Sequence, residues 1–233
     1  MLSDREIEAL PTLPEPLTVR LRFVKTGPLQ YISHLDLQRT FGRILSRARL
    51  PLWYTQGFNP HPKLVFALPL SIGCESECEL ADVKLVKKLP AEEIRERMCR
   101  ASVPNLTFTG CTFPERKFSD IAFASYRITF PAREGADADG INRFLASSPI
   151  IMTKRTKSGE KETDISALIK SAAAVRDGDC FIIDAVLAAS EGNTLNPELL
   201  LGALRRAFSI PDPEDDVRIL RRGLLDAGLN RFE

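Results

Sequence analysis

The chain has 233 residues, 44% hydrophobic and 27% charged, with a formal net charge of +1. This suits one large domain or two small ones with a true core, and it excludes disordered, collagen-like and membrane-spanning classes. The five cysteines are odd in number and scattered, which excludes a secreted disulfide framework, and MLSDREIEALPTLPEPL lacks the basic start and apolar run of a secretory signal, so a cytoplasmic protein is expected.

Residues 1–16, rich in proline and acids, read as a flexible leader. LTVRLRFVK (17–25) alternates as a half-buried strand, with Leu17, Val19, Leu21 and Phe23 inward and Arg20 and Arg22 on a basic outer face. After the turn TGPLQ, Ser33 is an N-cap with Asp36 three residues on, a variant capping box flanked by the staple pair Ile32 and Leu37. The helix it starts buries Leu37, Phe41, Ile44, Leu45 and Ala48. It displays Arg39, Arg43 and Arg47 at intervals of four and stops at Pro51. Leu52–Tyr54 is a possible short strand. The loop GFNPHPK (57–63) leads into an apolar strand at 64–70, then a strand at 78–86, a helix at 90–101 and a closing strand at 106–113.

The second half repeats the order. A strand at 122–130, a helix at 137–147 and a strand at 150–153 precede the polar, hairpin-like KRTKSGEKETD. Residues 164–175 fit a strand or a helix. An apolar strand at 180–188, a helix at 196–208 with Asn196 as N-cap and Pro197 as its first residue, and a strand at 217–220 complete it. The fold class expected is α+β, as two tandem ferredoxin-like (βαββαβ) sandwiches: leader 1–16, first domain 17–118, second domain 119–233.

Chemistry concentrates in the first domain. Both histidines, His34 and His61, lie between Tyr31 and Leu70. From Arg20 to Lys63 eight basic residues face one acid, Asp36, a local +7 that leaves −6 for the remainder. A basic region in a near-neutral chain points to an anionic partner. In GFNPHPK each proline holds its predecessor extended, so Asn59 and His61 sit in a stiff, unpaired segment opened by Gly57. Arg39, Arg43, Arg47 and Lys63 are candidates for phosphate contact, Phe58 for stacking on a base, and Asn59, His61 and His34 for a recognition pocket. His34, His61 and Lys63 are also the residues that metal-independent ribonuclease chemistry would use. No metal site is expected, because His34 and Asp36 diverge on a helix by about 200°. No cofactor is expected either: a C-x3-C-x2-C cluster motif from Cys74 and Cys78 would need a cysteine where Ala81 stands.

The stretches YISHLDLQRTFGRILSRA, GFNPHPK, ALPLSIG and ESECELADV together resemble the radical-SAM-linked proteins, a bacterial domain of unknown function, over roughly residues 20–86. The second half resembles them only in TDISALI and RILRRGLL. Such domains stand alone or fused to radical-SAM proteins, and the acidic leader is similar to the free-standing form. The resemblance implies a radical-SAM protein as partner, and it supplies no reaction. RNA, as tRNA or rRNA, is the expected ligand of the first domain. The alternatives are the ribonuclease and a pure protein-interaction module. The second domain, including the arginine-bearing segment 217–232, would support the first or dock the partner.

Overall fold

The first sixteen residues, expected to be a patternless leader, begin with a helix. In α1 (Asp4–Ala9) the Ser3 hydroxyl accepts from the Glu6 amide at 3.3 Å, while the Ser3 amide donates to the Glu6 carboxylate at 2.6 Å. This reciprocal cap starts a helix too short to persist alone, and the buried Ile7 fastens it to the core. Buried Arg97 holds the residues before it: Nε donates to Glu93 at 2.7 Å, Nη2 donates to the Leu2 carbonyl, and Glu93 accepts from the Leu2 amide at 3.1 Å. The proline and acid content of the segment masked its single S-x-x-E box.

The computed structural model describes residues 1–132, 137–156, 159–208, 210 and 216–233. They form two compact units, Met1–Phe118 and Ser119–Glu233. Each unit is mixed α+β with antiparallel strand pairs and few helices.

In the first unit the alternating segment forms β1 (Leu17–Lys25), followed by α2 (His34–Ala48), β2 (Leu64–Phe66), β3 (Cys74–Leu85), α3 (Ala91–Ala101) and β4 (Leu106–Thr112). The strands lie in the order β2–β3–β1–β4. The buried face of α2 comprises Leu37, Phe41, Ile44, Leu45 and Ala48. Phe41 fixes the helix to the sheet, with ring centroids 4.8 Å from Phe23, 5.0 Å from Phe66 and 5.5 Å from Phe108. Edge-on packing of this kind adds to the area buried. The strand expected at 64–70 is only three residues long, and Leu52 and Tyr54 make single bridges, to Leu85 and Pro62.

The basic outer face expected of β1 is only partly there: Arg22 is half-buried, and Arg20 is withdrawn from solvent. Arg20 is 2% exposed and lies opposite Asp82, to which Nε and Nη2 donate at 2.8 and 2.9 Å. Its guanidinium also stacks 4.1 Å from the Phe118 ring centroid. Lys25 is 1% exposed and donates to the Leu29 carbonyl at 2.9 Å. Alternation correctly separates the two faces, but on the outer one Arg20 is covered while Thr18, Arg22 and Val24 stay half-buried.

The second unit comprises β5 (Phe123–Pro131), α4 (Ala138–Leu145), the hairpin β6 (Ile151–Thr156) and β7 (Gly159–Asp164), then β8 (Ile169–Asp177), β9 (Cys180–Ser190), β10 (Asn193–Thr194), α5 (Pro197–Ala207) and β11 (Arg218–Leu225). Its main strands run β8–β9–β5–β11, with β10 also on β9. The ambiguous segment 164–175 is largely strand, because β8 pairs along most of its length with β9. The segment 217–232, expected as a docking element, is largely occupied internally. β11 pairs with β5, and Ile219, Arg221 and Leu224 are buried, Arg221 donating to the Tyr126 hydroxyl at 3.1 Å.

Candidate functional site

Helix α2 carries most of the site. Its start is set by Ser33, whose hydroxyl accepts from the Asp36 amide at 3.1 Å and donates to the Asp36 carboxylate at 2.7 Å. Asp36 in turn accepts from Arg39 Nη1 at 3.0 Å. The Ser33 hydroxyl and then the Arg39 guanidinium hold the Asp36 carboxyl below the usual carboxylate range. Both Ser33 and Asp36 are thereby accounted for by the cap.

His34 is the first residue of the helix. Its ring stands edge-on to Phe66 at 5.1 Å, and Nε2 lies 3.2 Å from the Gln38 amide nitrogen one turn on. An amide N–H can only donate, so His34 Nε2 accepts and its lone pair is taken. That arrangement makes His34 a support for Gln38.

The GFNPHPK loop is closed at its base rather than unpaired. Thr55 N donates to the His61 carbonyl at 2.9 Å, and His61 N donates to the Thr55 hydroxyl at 3.2 Å. Gly57 takes φ +137°, a value side-chain-bearing residues rarely adopt. Beyond it Phe58 is fully exposed, at 112% of its reference area, and Asn59 is also exposed. His61 Nδ1 lies 3.0 Å from the Asn59 carbonyl oxygen. A carbonyl only accepts, so Nδ1 carries a proton, and in the neutral ring Nε2 is left as the acceptor.

His61 lines a recess of about 230 Å³ with Gln38, Gly42, Leu45, Pro62 and Leu64. Beside it is an open groove of about 650 Å³ lined by Arg39, Gly42, Arg43, Ser46 and Arg47. Gly42 borders both. The structure therefore brings His61 and the arginine row to adjoining surfaces and connects His34 to them through Gln38. Phe58 and Asn59 lie at the loop tip and line neither cavity.

The cations are not equivalent. Arg39 is paired with Asp36. Arg47 donates through Nε and Nη2 to the Ala101 carbonyl, at 3.1 and 2.6 Å, and so caps the C-terminus of α3. Arg49 is paired with Asp4. Arg43 and Lys63 are exposed, and neither has a hydrogen bond or ion pair with a described residue. The local +7 read from the sequence thus reduces, on this surface, to a few uncompensated charges around the recess. No group of three metal-ligating side chains occurs among the described residues. Gln38, Gly42, Leu45, Pro62 and Leu64 were missed as lining residues. The signal for two of them was present in the i, i+4, i+8 spacing of His34, Gln38 and Gly42.

The fold and site define a mixed α+β protein with a histidine-containing recess beside an arginine-lined groove on its first unit. The chain belongs to the family of uncharacterized proteins conserved in bacteria, DUF2344, which it matches over residues 18–197, a range holding every candidate residue named above. No curated protein matches it. Among solved structures it is similar to an unknown protein from Galdieria sulphuraria, at 10% identity over 88% of this chain and 96% of that one, with a TM-score of 0.25. It is also similar to a variant of DypB in complex with manganese, at 12% identity over 86% and 87%, with a TM-score of 0.21. Among the described residues no helix is long and apolar enough to cross a membrane.

Proposed function

We propose that this protein binds single-stranded RNA through its first unit, as a cytoplasmic accessory protein of a radical-SAM system. The observation that carries the RNA reading is the placement of Arg43 and Lys63. Arg43 lines the groove that meets the recess at Gly42, while Lys63 lies between the recess-lining Pro62 and Leu64 in sequence and lines neither cavity. Both are exposed without a partner among the described residues, and His61 offers an acceptor in the recess. Cations of this kind meet phosphates, while a recess with apolar walls and a fixed acceptor suits a splayed base. Phe58, exposed at the loop tip, supplies a further stacking surface. Both units are read as ferredoxin-like sandwiches, each supported by its strand–helix–strand–strand–helix–strand order, with the β6–β7 hairpin as an insertion in the second. The radical-SAM link rests on the resemblance of residues 20–86.

The test is fluorescence anisotropy of a labelled, mixed-sequence twelve-nucleotide RNA with the full chain at low salt. Binding that weakens at least about tenfold in Arg43→Ala/Lys63→Ala supports the reading, this being the order of loss for two phosphate contacts. Absence of binding by the wild-type chain removes it and leaves a protein-interaction module. Cleavage of the RNA that His61→Ala abolishes while binding persists would assign a ribonuclease instead.

A further inference from the structure

Gly42 lies mid-way along α2, where glycine is a poor choice for a helix. The fold gives no reason for it: a Cβ built there meets no atom within 4 Å. Its backbone is helical, so no left-handed conformation demands glycine. What the missing side chain does provide is an unbroken surface between the recess and the arginine groove, since Gly42 lines both.

We infer that one nucleotide unit straddles Gly42, its base in the recess and its phosphate in the groove. This rests on the RNA reading for its source of nucleotide and adds the register. The recess, at about 230 Å³, is smaller than the roughly 300–1,000 Å³ typical of drug-sized ligand sites, which suits a single ring system. Leu45, Pro62 and Leu64 supply apolar surface for the ring. His61 Nε2 accepts from an amino or imino N–H of the base edge. Gln38 has one N–H directed to His34 and retains its carbonyl and second N–H for the same edge. On the other side of Gly42, Arg43 is the cation without a described partner, and Arg47 keeps its charge while bonded to a neutral carbonyl. A phosphate there is held by charge, and the base is selected by shape and edge.

Gly42→Gln tests this, because glutamine is a good helix former whose side chain occupies the saddle. Folding is checked by circular dichroism, and binding is measured to the twelve-nucleotide RNA and to free AMP and UMP. The expected result is a folded variant that binds RNA at least about tenfold more weakly, the scale of losing one base contact. Equal RNA binding by wild type and variant overturns the inference and leaves the RNA reading standing. Gly42-dependent binding of AMP or UMP without RNA binding keeps the saddle, assigns it to free nucleotides and removes the RNA reading. Failure to bind either ligand removes both. Should the variant misfold, ultraviolet crosslinking of the wild-type complex decides: a base crosslinked within 38–45 or 61–64 supports the register, and crosslinks confined elsewhere overturn it.

Discussion

The salt dependence of RNA binding separates a charge count made on the sequence from one made on the surface. Seven net positive charges lie between Arg20 and Lys63. If all met phosphates of a single strand, the slope of log K against log salt would be about −5, and affinity would fall roughly 900-fold from 50 to 200 mM. In the structure Arg20 and Lys25 are buried, Arg22 is half-buried on β1 and lines neither cavity, Arg39 is matched by Asp36 and Arg49 by Asp4. Arg43 and Arg47 in the groove, and Lys63 between the recess-lining Pro62 and Leu64 in sequence, are left as cations that no carboxylate of a described residue offsets. Three contacts give a slope of about −2 and a loss of roughly 20-fold over the same range. Removing Arg43 and Lys63 together leaves one contact, a slope of about −0.7 and a loss of about threefold. The assay is anisotropy at four salt concentrations with one buffer anion. A wild-type slope near −5, or a double variant with the wild-type slope, would refute this placement of the charges.

Gly42→Ala should stabilise the chain by about 0.5–1 kcal/mol in urea denaturation, because its Cβ enters open space and helix propensity alone changes. Asp82→Ala strands the Arg20 guanidinium at 2% exposure and should cost about 3–5 kcal/mol, with much of the loss recovered when Arg20→Met is added; equal stability of Asp82→Ala and wild type would show that the pair is not what neutralises Arg20. In the second unit, two hydrogen bonds from Arg127, at 2.8 and 2.7 Å, hold the Asp184 carboxyl below its ordinary value. A depressed folded value contributes stability above the unfolded pKa, about 4, which is lost as pH falls through the folded one. Asp184→Asn should therefore lower stability above about pH 4 and flatten its acid limb, measured by circular dichroism, while leaving the slope of the alkaline limb unchanged.

What the sequence discloses divides by range. The buried stripe of α2, its Ser33 cap and the Asn196–Pro197 start of α5 depend on contacts two to four residues apart, and all are present as read. The register partners Arg20 and Asp82 are sixty-two residues apart, so alternation alone could only send Arg20 outward. The alanine-rich β8 has no decisive local preference, and its long pairing with β9 makes the decision. The helix at Asp4–Ala9 was lost for the opposite reason: its local signal, one capping box, is weaker than the prolines around it, and burial of Ile7 supplies the rest.

The two histidines show how residue type and role part company. By type they form a pair suited to acid–base chemistry. By geometry His34 has its Nε2 engaged by Gln38, while His61 has Nδ1 directed at its own loop and Nε2 unengaged. One holds a neighbour and the other is positioned to read a ligand, so removing each should have different consequences even if both weaken binding. The same helix register sets the rest of the site. Successive residues on an α-helix are turned by about 100°, so the row His34, Gln38, Gly42, Ser46 runs beside the row Arg39, Arg43, Arg47. Gln38 and Gly42 of the first row border the recess, the second row borders the groove with Gly42 and Ser46, and Gly42 lines both cavities. A side chain of any length there would wall the recess off from the groove, the proposed base and phosphate sites, without disturbing a contact of the core. Gly42 is therefore the position where stability and binding should respond in opposite directions.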